Sequence, residues 1–123
     1  MKEHYGCPVQ ATINLMSGKW KGQILWHLSF WSCRFAELKR LLPGITEKVL
    51  TDQLRQLEGN KVLTRTATKD TPPKVFYTLS NADRKLIPMM KDLCGWGSKH
   101  FGIEPTLRRS PQKAGQAVHP GIS

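Results

Sequence analysis

The residues able to do covalent or metal chemistry are few and poorly placed for it. Cys7, Cys33 and Cys94 are odd in number and form no CxxC pair, which fits neither a disulfide framework nor a zinc site and suits a reducing compartment. His4, His27, His100 and His119 stand far apart and beside no recurring acid or cysteine, so neither a triad nor a metal cluster is expected. Gly18-Lys19-Trp20 looks like the lysine of a phosphate loop, but such a loop needs a glycine five residues before Gly18, where this chain has Ile13. No catalytic residue, metal or cofactor is therefore expected.

What the chain holds in quantity is positive charge. Nineteen Lys and Arg against nine Asp and Glu give +10 over 123 residues. A polyanion is the natural partner for such a surplus. The charge is also unevenly spread: residues 34–74 carry nine Lys and Arg against five Asp and Glu. The side chains suited to phosphates and base edges there are Lys39, Arg40, Thr46, Lys48, Thr51, Gln53, Arg55, Arg65, Lys69 and Lys74.

The elements that must position them are legible from spacing. Pro8 suits a first helical position, and Val9, Ile13 and Met16 recur at helical intervals up to Gly18. A second helix is expected from about Trp20 to Ser29, with His27 as a core histidine. A third runs from Phe35 to Leu42, where Pro43-Gly44 stops it. Thr46 is a good N-cap for a fourth, which reaches about Glu58 and turns Leu50, Leu54 and Leu57 inward. Strands over 62–68 and 75–79 flank a turn containing Lys69 and Lys74, and Ser80-Asn81-Ala82-Asp83 reads as a capping box for a last helix. Pro88 should kink that helix or mark a restart.

Two short helices joined by Leu42-Pro43-Gly44-Ile45 form a helix-turn-helix, and the basic hairpin after it makes the winged version. The fold class is mainly α with a small β-hairpin, in one domain over residues 1–104. Residues 105–123, with three prolines and no aromatic, form a flexible basic tail. The outward face of the fourth helix, Thr46, Lys48, Thr51, Asp52 and Arg55 with Gln53 at its flank, would enter a major groove. Lys39 and Arg40 would meet phosphates, and Arg65, Lys69 and Lys74 would form a wing over the backbone or minor groove.

Other classes are weaker. Met1-Lys2-Glu3-His4-Tyr5-Gly6 lacks the apolar core of a signal peptide, so a cytoplasmic location is expected. The longest apolar stretch, 24–31, is interrupted by His27 and Ser29 and falls far short of the ~20 residues of a membrane span. A protein-interaction module would carry an apolar wing, whereas this one carries Lys69 and Lys74. An RNA-binding module would expose aromatics for stacking, whereas most aromatics here fall on faces expected to be buried.

A set of blocks in order sharpens the class. They are Cys7-Pro8, Gly18-Lys19-Trp20, Arg34-Phe35-Ala36-Glu37-Leu38, the run from Leu42 to Thr51, Leu54-Arg55-Gln56-Leu57-Glu58, the run from Pro72 to Ser80, and Trp96-Gly97. From about Cys7 to Gly102 the chain resembles the HxlR-type branch of MarR-like winged-helix transcriptional regulators. Phe76 departs from that pattern, standing where the family usually has an acidic residue. The resemblance implies a homodimer on an inverted-repeat operator, paired through its first and last helices, with Val9, Ile13, Met16, Leu86, Met90, Leu93 and Trp96 at the contact. It also draws attention to Cys7 as a thiol switch answering to an oxidant or small-molecule effector. The start of a helix favours a reactive thiolate, while Cys33 and Cys94 read as small core residues.

Overall fold

The computed structural model describes residues 6–80 and 84–104. Its order is α1 (Pro8–Leu15), α2 (Lys21–Leu28), α3 (Phe35–Leu41), α4 (Glu47–Gly59), β1 (Leu63–Ala67), β2 (Val75–Leu79) and α5 (Leu86–Phe101). These are the expected elements in the expected order, with ends differing by a few residues. The expected tail over 105–123 and the capping residues Asn81, Ala82 and Asp83 lie outside the described residues.

The core is aliphatic. Ile24, Leu25 and Leu28 of α2, Leu38 of α3 and Leu50, Leu54 and Leu57 of α4 are almost wholly buried, joined by Leu63, Leu79, Ile87 and Met90. Burying a Leu or Ile stabilises by about 1.5–3 kcal/mol each, so this cluster supplies most of the domain's cohesion. His27 is buried within it, as its apolar helix suggested.

The corner between α3 and α4 follows from three side chains. Leu42 and Ile45 are buried, which pulls both ends of the turn inward. Between them Gly44 takes φ +91°, a left-handed conformation that suits glycine. The Ile45 N–H donates to the Leu42 carbonyl at 3.1 Å and closes the turn. Just beyond, the Thr46 hydroxyl accepts from the Val49 N–H at 3.1 Å, so the expected N-cap is formed.

β1 and β2 pair antiparallel, with Leu63 opposite Leu79 and Arg65 opposite Tyr77. On the far side of β2, Cys33 exchanges two backbone bonds with Tyr77, at 3.0 and 2.7 Å. The short 32–34 segment therefore makes the single strand pairing its length permits. At the wing tip the Thr68 hydroxyl accepts from the Lys74 N–H at 2.9 Å and donates to Asp70 at 3.0 Å, which draws the loop closed.

Of the two expectations for Pro88, the structure follows a helix start rather than a kink. Pro88 is the third residue of a helix that begins at Leu86, where its missing N–H has no intrahelical partner to lose. The helix ends at Gly102 in a left-handed cap, φ +68°. Among the described residues no helix is long and apolar enough to cross a membrane.

Candidate nucleic-acid interface

α4 turns two faces to different environments. Leu50, Leu54 and Leu57 face the core, and the opposite side carries Lys48, Asp52, Arg55 and Gln56. Thr46, Lys48 and Arg55 are exposed, while Thr51, Asp52 and Gln53 are half-buried. Lys48 and Asp52 form an i,i+4 ion pair at 3.2 Å with both side chains in solvent. Such a pair is worth ~0–1 kcal/mol and is easily exchanged for another partner. Gln56, exposed one turn beyond Asp52, belongs to this face although the expected set omitted it. The same four-residue step from Lys48 and Asp52 would have found it.

The wing carries its charge at the tip. Lys69 and Lys74 are exposed in the closed turn. Arg65 lies lower, on β1 opposite Tyr77, and its own strand turns Leu63 into the core from the same face. Lys39, on α3, is half-buried, and Arg40 beside it is exposed. Arg34 and Arg40 flank a hollow of about 530 Å³ between α3 and the wing residues Pro73 and Val75. The Glu37 carboxylate beside it is buried and accepts the Arg34 N–H at 2.7 Å.

A second surface lies between α1 and α5. Val9, Ile13, Met89, Leu93 and Trp96 are 50–65% exposed and edge a hollow of about 690 Å³. Leu86 and Met90, also expected at the contact, are buried and line the same hollow. The apolar stripe of α5 runs from the core at Leu86, Ile87 and Met90 to solvent at Leu93 and Trp96. Met16 is half-buried at the edge. One further expectation needs correction. Cys94 is half-buried beside Trp26, Gly97 and Phe101, not in the core, because α5 has outrun the domain by that turn. Trp96, expected at the contact, and Phe101 are exposed.

Cys7 is exposed at the N-cap of α1 and Cys33 is buried. Among the described residues no group of three His, Cys, Asp or Glu is arranged to hold a metal ion.

The helix-turn-helix and the fold around it are shared with proteins already known. Residues 15–104 match the HxlR-like helix-turn-helix family. The chain belongs to that family. It is 46% identical over 100 residues to the HTH-type transcriptional regulator YtcD of Bacillus subtilis (strain 168), covering 81% of this chain and 79% of YtcD. Among solved structures it resembles the redox regulator HypR in its reduced form, with TM-score 0.72 and 36% identity over 79% of this chain and 96% of that one. It also resembles a MarR-family transcriptional regulator from Enterococcus faecalis V583, with TM-score 0.70 and 32% identity over 83% and 93% of the two chains. As a member of the HxlR-like family, the chain is a helix-turn-helix transcriptional regulator with a winged-helix fold, a class that acts by binding DNA rather than by catalysis.

Proposed function

We propose that the chain acts in the cytoplasm as a homodimer that binds an inverted-repeat operator in duplex DNA. α4 lies in the major groove, offering Thr46, Lys48, Thr51, Gln53 and Arg55 to base edges and phosphates. Lys39 meets the backbone beside it, and Arg65, Lys69 and Lys74 reach the adjoining backbone or minor groove. The observation that carries this reading is the solvent-facing side of α4, charged and polar, together with a wing whose tip exposes two lysines. Residues 1–104 are its domain, and the basic residues over 105–123 add unspecific attraction to phosphates.

The second copy pairs over the apolar hollow between α1 and α5. Five large apolar side chains at 50% exposure or more are a patch that soluble monomers seldom leave open. Cys7, at the start of α1 and beside that hollow, is the thiol through which an oxidant or electrophile changes the spacing of the two recognition helices. Its exposure supports this role, and a structural relative, HypR, is a redox regulator.

Selection of bound duplexes from random DNA tests the reading. An inverted repeat with half-site centres ~10 base pairs apart, or a multiple of that, is expected. Equal affinity for every duplex, or preference for single-stranded RNA, would overturn it.

A further inference from the structure

A hollow of about 340 Å³ opens where the last turns of α4 meet the wing. Thr51, Arg55 and Glu58 come to it from α4, Arg65 and Tyr77 from the paired strands, and Leu54 forms its floor. The convergence is built into the periodicities. Thr51, Arg55 and Glu58 are four and three residues apart, hence neighbours on one helix flank. Arg65 and Tyr77 are direct cross-strand partners, so their side chains rise from the same sheet face. That face also holds Leu63 and Leu79, and it is the one turned toward the core.

Arg55 and Arg65 are both exposed residues, and among the described residues no carboxylate lies within ion-pair distance of either. Two guanidiniums and the one carboxylate of Glu58 leave a single surplus positive charge at a site rimmed by hydroxyl donors. One phosphodiester carries one negative charge, and guanidinium forks match its oxygens bidentately.

We infer that this hollow takes one backbone phosphate of the bound duplex, held jointly by Arg55 of the recognition helix and Arg65 of the wing strand. The inference rests on the reading of the chain as a duplex-DNA binder and assigns Arg55 to the backbone rather than to a base edge. The shared phosphate ties the wing to the recognition helix, so both engage the same stretch of backbone.

The test is an anisotropy titration of an operator duplex over a salt series with wild type, Arg55→Ala, Arg65→Ala and the double variant. Either single change is expected to weaken binding roughly tenfold, with similar losses on all duplex sequences. The double variant is expected to reduce the log–log salt slope by about 0.9, one phosphate's share. A slope reduced by about 1.8 means two separate phosphates and overturns the inference, as does a loss confined to one base substitution. Neutral methylphosphonate placed at each linkage in turn should reveal one position per half-site that weakens binding by the wild type but not by the double variant. No such position overturns the shared contact while leaving DNA binding intact. A wild-type protein that binds no duplex removes the underlying reading instead.

Discussion

Leu93→Ala tests the proposed pairing surface separately from the core. Leu93 lies on α5 and is 57% exposed at the edge of the hollow against α1. Fully burying a leucine is worth ~2 kcal/mol, so covering its exposed half is worth about 1 kcal/mol per protomer. A two-fold interface counts the change twice, which makes the expected loss about 2 kcal/mol and raises the dimer dissociation constant ~30-fold. Sedimentation equilibrium across a concentration series measures that constant, and a thermal melt on the same samples monitors the fold. Leu54→Ala is the contrasting change: Leu54 is 1% exposed, and its truncation should cost ~2–5 kcal/mol of folding stability. A dimer constant within about twofold of wild type for Leu93→Ala would show that the hollow is not the contact. A wild type that stays monomeric at tens of micromolar would refute the pairing outright.

Three other outcomes are expected. Thr46→Ala removes the cap on the Val49 N–H and should lower stability by about 1 kcal/mol, with Thr46→Ser restoring most of it in denaturant melts. Lys69→Ala combined with Lys74→Ala should weaken all duplexes alike and flatten the salt dependence, whereas a loss on one sequence only would assign these lysines to base readout. Diamide should abolish DNA binding by the wild type but not by Cys7→Ser in a gel-shift assay, and a Cys7→Ser protein that still lets go on oxidation would move the switch elsewhere.

Much of the fold is readable because its signals are local. The apolar spacing in α4, its Thr46 cap and the Pro43-Gly44 corner each act within a few residues, and the structure follows all three. The Cys33 pairing with Tyr77 is compatible with the sequence but not dictated by it, since 44 positions separate the partners. The apolar stripe of α5 shows the harder limit. Leu86, Met90, Leu93 and Trp96 share a helical periodicity, yet the first two are buried and the last two exposed. Periodicity says which side of a helix is apolar, while the reach of the surrounding elements decides how far along that side the core extends. Cys94 was misplaced for the same reason. The hollow joining Arg55 to Arg65 needs both the helix flank and the strand register, and neither alone points to it.

The distribution of burial has a consequence for how the parts depend on one another. α4 contributes three buried leucines to the core and is held by its own protomer. α1 contains no buried residue, although Leu15 and Met16 at its end pack against the core. At eight residues α1 is shorter than the ~12–15 at which helices in isolation become even marginally stable. Its order must then come from contacts on its apolar side, which is the side of Val9 and Ile13 facing the hollow. With a second copy over that hollow, the stability of α1 and the dimer equilibrium become one linked quantity. Cys7 caps this helix rather than α4, so bulk or a cross-link there acts on the element with least support from its own chain. In the proposed dimer, the effect on DNA would run through the geometry of the pair, while each recognition helix keeps its fold.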